Sequence, residues 1–144
     1  MSRRLVALAV AGSLAVGALL AACGSGSDAG GDVELSAAGE RGAVVAKEQG
    51  CISCHTADGS KSVGPTWKGL AGSQVELEDG TKLTADDDYL REAILFSRGQ
   101  VVDGYANIMP VYDGELSEAE VADLLAYLHD LAPAAAADEG SAGS

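Results

Sequence analysis

Cysteine is scarce in this chain: among 144 residues there are three, Cys23, Cys51 and Cys54. Each has a use other than a disulfide, as the motifs below show, so the disulfide framework that staples many small exported domains is excluded. Basic residues are scarce too, 9 against 22 acidic, for a net charge of −13. A surface of that sign repels nucleic acid and anionic lipid headgroups. Aromatic residues are few, one Trp, one Phe and four Tyr. Histidine is limited to His55 and His129, and methionine to Met1 and Met109, so a metal would find few soft or nitrogen ligands. No internal repeat is visible.

The first 22 residues have a composition of their own. Arg3 and Arg4 form a basic start, and Leu5 to Ala22 is apolar and uncharged. Small residues then lead into Leu20-Ala21-Ala22-Cys23. That order describes an export signal. Its end resembles the lipobox of bacterial lipoproteins, which implies cleavage before Cys23 and diacylation of that cysteine. An ordinary cleaved signal with Cys23 left free is the alternative. Another is an uncleaved helix, since eighteen apolar residues can just span a bilayer. Removing residues 1–22 takes away two arginines and no acid, which leaves 7 basic and 22 acidic residues, net −15. Such a surface favours a partner with a basic docking face, mainly through association rate.

Residues 23–38 are rich in Gly, Ser, Asp and Ala and read as a lipid-anchored flexible linker. Residues 133–144 read as a disordered tail. One domain remains, 39–132, small for a self-sufficient core. Within it stands Cys51-Ile52-Ser53-Cys54-His55, a C-x-x-C-H run and the attachment signature of c-type haem. Each thiol can add across one vinyl group of the porphyrin, and the histidine that follows is delivered to one face of the iron. A dithiol or half a zinc site uses the same C-x-x-C. Zinc, however, would need two more nearby ligands, and only His129 remains. A buried porphyrin would also supply the apolar bulk that the aromatics do not, so the apo-protein is expected to fold poorly.

Three helices can be placed. The first is expected from about Arg41 to Gln49. The second is announced by Thr84 as cap and Asp86, Asp87 and Asp88 in the first turn. Leu90, Ala93, Ile94 and Ser97 form one face of it, and Gly99 can end it. Ser117-Glu118-Ala119-Glu120 is a capping box opening the third, with Val121, Leu124, Leu125, Leu128 and Leu131 at helical spacing and Pro133 as the stop. Between the first two, Val75 to Leu83 alternates around Asp79-Gly80, a short hairpin signal. The fold class is therefore mainly α.

His55 fills one axial position, and the group in the other decides the chemistry. A thioether gives a six-coordinate electron carrier with a raised potential, and a vacant site gives ligand binding or peroxidase-like reactivity. Met109 precedes Pro110, which restricts it to extended geometry and suits a side chain held out of a loop. It is the expected ligand, although methionines more often fill core gaps. His129 lies off the apolar stripe and reads as a surface histidine.

Cys51-Ile52-Ser53-Cys54-His55, Gly64-Pro65, Met109-Pro110 and the C-terminal Leu125-Ala126-Tyr127-Leu128 together resemble a class I cytochrome c over about residues 40–132. The hairpin, Thr84-Ala85-Asp86, Tyr89-Leu90, Gly104-Tyr105 and Ile108-Met109-Pro110 are similar to the cytochrome c domain appended to subunit II of haem–copper oxidases. This resemblance implies a cytochrome c fold around one covalent haem c. It implies that the Pro65 carbonyl accepts the His55 Nδ1–H bond, and that Gly42 on the first helix meets Tyr127 on the third. Trp67 and Tyr105 would line the haem edge, with a hydrogen bond to a propionate. The chain shows no second transmembrane segment and no paired-cysteine copper site, so it is expected to be a free-standing relative of that domain.

The expected function is a membrane-tethered shuttle for single electrons rather than an enzyme. It would be exported and anchored facing the periplasm or outer face of the cytoplasmic membrane, with a quinol-oxidising complex as donor and a terminal oxidase as acceptor. The rival readings are a haem subunit of a dehydrogenase or oxidase complex, a ligand sensor in which a gas displaces Met109, and a small peroxidase. The last is disfavoured because the Met109 loop offers no histidine or arginine as acid/base group.

Overall fold

The computed structural model describes residues 33–132. The expected leader, Cys23, the tether up to Asp32 and the tail lie outside the described residues. The element order is α1 (Ala37–Glu48), a 3-10 turn (Cys51–Ser53), β1 (Gln74–Glu76), β2 (Lys82–Thr84), α2 (Asp87–Leu95), a second 3-10 turn (Ser97–Gly99) and α3 (Glu118–Asp130). This is the mainly helical architecture expected, with one two-stranded antiparallel sheet. Among the described residues no helix is long and apolar enough to cross a membrane.

α1 begins four residues earlier than Arg41, so the chain is already helical before residue 38. Ser36 is the reason. Its Oγ accepts the Gly39 N–H at 3.0 Å, while its own N–H and hydroxyl both donate to the Asp130 carboxylate at 2.8 Å. The cap thus ties the start of α1 to the end of α3. Ala37 and Ala38 match a linker by composition, but they are strong helix formers once a cap is present.

α1 and α3 cross at Gly42. A Cβ there would overlap the carbonyl oxygen of Asp123 and stand 2.8 Å from Cβ of Tyr127. The expected meeting of Gly42 and Tyr127 is observed, and it is close because one partner has no side chain. Beside it Arg41 donates from Nε and Nη2 to the Asp123 carboxylate at 2.9 and 2.6 Å, an exposed pair that orients the helices more than it stabilises them. Alanine for glycine inside a helix is ordinarily worth about 0.5–1 kcal/mol of stability, but overpacking costs about 1–3 kcal/mol, and here the obstacle is backbone. Gly42→Ala is therefore expected to destabilise the holo-protein by about 2 kcal/mol and to lower its Tm by on the order of 10 °C in a thermal melt. A raised Tm would show that the helices separate at no cost.

α2 is capped by Asp86, not Thr84. The Asp86 carboxylate accepts the Tyr89 N–H at 2.9 Å, whereas Thr84 belongs to β2, paired with Gln74. The helix also stops before Gly99: Phe96 has φ −125° and ψ 45°, and a separate 3-10 turn follows. The hairpin pairs Val75 with Leu83 and Glu76 with Lys82, and Gly80 at its tip has φ 84°. It does more than decorate the fold. Glu78 N–H donates to Val101 O and Asp103 N–H to Glu76 O, each at 2.9 Å, so the hairpin braces the segment that runs towards Met109.

α3 carries the complete capping box: Ser117 Oγ accepts the Glu120 N–H and Glu120 Oε2 accepts the Ser117 N–H. Val121, Leu124, Leu125, Tyr127 and Leu128 are buried on one stripe, and the helix ends at Asp130, short of Pro133. His129 is exposed, as expected. Its Nε2 lies 2.6 Å from Asp87 at the head of α2. The core joins Ala46 of α1, Leu90 of α2 and Val121 of α3, with Trp67, Tyr89 and Tyr127 among them.

Candidate functional site

The Cys51–His55 run is shaped by its own backbone. Gly50 leaves α1 in the left-handed region, φ 75°, where a side chain would be strained. The 3-10 turn that follows directs the N–H groups of Cys54 and His55 onto the Cys51 carbonyl, at 3.1 and 3.0 Å. Both thiols and the imidazole thereby reach one largely apolar cavity. Gly64, Pro65 and Trp67 complete that part of its wall. Tyr89, Leu90, Ala93, Ile94 and Ser97 come from α2 and the turn after it, Leu128 from α3, and Tyr105 to Pro110 and Tyr112 from the loop before α3. The face of α2 read from the sequence is the face that lines the cavity.

His55 Nδ1 stands 2.7 Å from the Pro65 carbonyl oxygen, the bond expected. A carbonyl can only accept, so Nδ1 is the protonated nitrogen and Nε2 keeps its lone pair for a metal. Burial pushes the imidazole below its ordinary pKa, partly opposed by the Pro65 bond, and so favours the neutral form that ligates. The ring is also held from its faces. Trp67 stacks on it with centroids 5.1 Å apart and planes 11° from parallel, and Tyr127 meets Trp67 edge-on at 5.8 Å. A Cβ on Gly64 would come within 2.6 Å of His55 Cε1. Trp67 thus lines the cavity and supports the imidazole, and at 8 % exposure it is a core residue.

Cys51 and Cys54 are free thiols, each half-buried. Burial pushes the Cys51 thiol up, against a smaller opposite pull from the Tyr112 hydroxyl. Tyr112 itself donates to the Gln49 carbonyl at 3.1 Å and joins the loop after Met109 to the end of α1.

Met109 is half-buried on the cavity wall, beside Pro110 and Tyr105. It is the one thioether among the described residues. His129, the rival ligand, is not on the cavity. The residues present fit a covalent haem: two thiols, a neutral imidazole with its second nitrogen already satisfied, and a thioether share one apolar enclosure. Gln100, also on the lining, has a buried side-chain oxygen with no hydrogen-bond partner among the described residues.

Residues 39–132 match the family model of cytochrome c. The chain belongs to the cytochrome c family. It is an electron-transfer haem protein, and its cofactor is covalently bound haem c, for which Cys51 and Cys54 are the spaced pair. No curated protein matches the chain. In this cytochrome c three contributors to the site escaped sequence reasoning. Gly64 reads only as half of Gly64-Pro65, Tyr112 carries no local signal, and Ser97 reads as one more residue on the apolar face of α2. Only Ser97 gave a hint, as a polar residue among apolar ones.

Proposed function

We propose that this cytochrome c is a membrane-tethered carrier of single electrons that makes no bond to a substrate. The observation that carries the reading is the His55 Nδ1–Pro65 bond of 2.7 Å on the same cavity as Met109. Haem c, when bound, supplies the one-electron redox couple. Cys51 and Cys54 hold it by thioether bonds. His55 Nε2 and the Met109 sulfur would hold its iron, and the Pro65 carbonyl, accepting from Nδ1, would raise the basicity of the imidazole. The apolar lining excludes water, which favours the less charged reduced state.

Tethering rests on the export signal and on Cys23, the site of the lipid. A random coil as long as the segment from Cys23 to Asp32 reaches roughly 17 Å, taking about 5–6 Å times the square root of residue number. That keeps the haem near membrane complexes at high effective concentration, on the periplasmic or outer face of the cytoplasmic membrane. The donor is a quinol-oxidising complex and the acceptor a terminal oxidase. The likeness of the hairpin, Gly104-Tyr105 and Ile108-Met109-Pro110 to the domain appended to oxidase subunit II supports that acceptor. The acidic surface suits basic docking faces and makes association salt-dependent.

Quinol-fed membranes carrying the full-length protein test this directly. The haem absorption is expected to show reduction by quinol and reoxidation by oxygen. Cys23→Ala is expected to release the protein from the membrane and to slow both steps on the order of tenfold or more at equal total protein. A haem that stays in one redox state while the membranes respire would end the proposal.

A further inference from the structure

Ser97 is the one buried polar or charged residue among the described residues, 6 % exposed. Such a group needs partners, because burying an unpaired hydroxyl is costly. Its partners are specific. Ser97 Oγ lies 3.0 Å from the carbonyl oxygen of Met109 and 2.9 Å from that of Pro110. One hydroxyl proton is therefore shared between two consecutive carbonyls, on either side of a residue that has no N–H of its own. No backbone N–H of the described residues reaches either carbonyl. Other bonds close the loop further out: Asn107 Nδ2 donates to Arg98 O at 3.3 Å, and the N–H groups of Tyr112 and Asp113 donate to Leu95 O at 3.3 and 3.2 Å. Ser97 is the side chain that holds the Met109 peptide itself, and it does so from within the cavity lining.

We propose that Ser97 is a positioning residue for the Met109 thioether: its hydroxyl fixes the Met109-Pro110 backbone at the end of α2 and so holds the sulfur ready over the cavity. This rests on Met109 being an axial ligand. α2 stops at Leu95, and the 3-10 turn after it swings Ser97 under the loop. A helix continued to Gly99 would not present the hydroxyl in the same way. The bond contributes to ligation because the loop's alternative is to lift the sulfur away, which an external ligand exploits by taking its place.

Imidazole titration of the oxidised holo-protein tests the role, with loss of the thioether–iron charge-transfer band as the readout. Ser97→Ala is expected to retain the band without imidazole but to bind imidazole on the order of tenfold more tightly than the unaltered protein, the worth of one hydrogen bond. Ser97→Thr, which keeps the hydroxyl, is expected to stay within about twofold of the unaltered protein. Where alanine does not fold, Ser97→Cys, with its weak donor, makes the same comparison and is expected to bind more tightly than Ser97→Thr. Met109→Ala serves as the reference for a lost ligand. If Ser97→Ala lowers Tm but binds imidazole like the unaltered protein, while Met109→Ala binds more tightly, the hydroxyl is merely structural and the proposal falls. If Met109→Ala also binds as the unaltered protein does and keeps the band, axial ligation by Met109 is itself wrong.

Discussion

Met109→Ala is expected to abolish the thioether–iron charge-transfer band of the oxidised holo-protein and to lower the midpoint potential by on the order of 0.2 V in an optical redox titration. A neutral, soft thioether favours the reduced metal, and axial ligands span about 0.8 V across haem proteins. Alanine offers no donor, so water or a solute takes the position and favours the oxidised state. The fold is expected to survive. Met109 is only half-buried, and its loop remains tied to Leu95, Gln49 and Ser97 by backbone atoms and by Tyr112. His129 cannot substitute without rearrangement, since it sits on the surface 2.6 Å from Asp87. An unchanged band and potential would mean that another group ligates.

The double substitution Cys51→Ala, Cys54→Ala is expected to have the largest structural effect: no haem retained after denaturation, and no cooperative melt by circular dichroism. All three helices or the turns next to them contribute to the cavity, through Gln49 and Cys51 beyond α1, Leu90 and Ile94 of α2, and Leu128 of α3. Left without a cofactor, that largely apolar lining is open to water, and its contacts with the porphyrin are lost. A domain's whole net stability is only about 5–15 kcal/mol, and this one is small. A compact apo form that melts cooperatively would show that the helices carry the fold alone.

Much of this was legible because the signals are local or pairwise. The capping box at Ser117, the turn at Asp79-Gly80, the apolar face of α2 and the C-x-x-C-H run are each complete within about a dozen residues. The Pro65 bond and the Gly42–Tyr127 contact followed from the family resemblance. What stayed hidden depends on partners far along the chain. α1 starts at Ala37 because Ser36 bonds Asp130, 94 positions away. Asp86 rather than Thr84 caps α2 because β1 claims Thr84. Trp67 becomes a support for the imidazole only when His55 folds back across it. Ser97 acquires its role only because α2 ends at Leu95 and the Met109 loop passes over it. No periodicity or composition encodes those meetings.

The most direct test of the central claim is the intact mass of the holo-protein after denaturation. Cys51 and Cys54 joined to one porphyrin predict the polypeptide mass plus a single haem, with neither thiol open to alkylation. Two free thiols and the bare polypeptide mass would contradict the account.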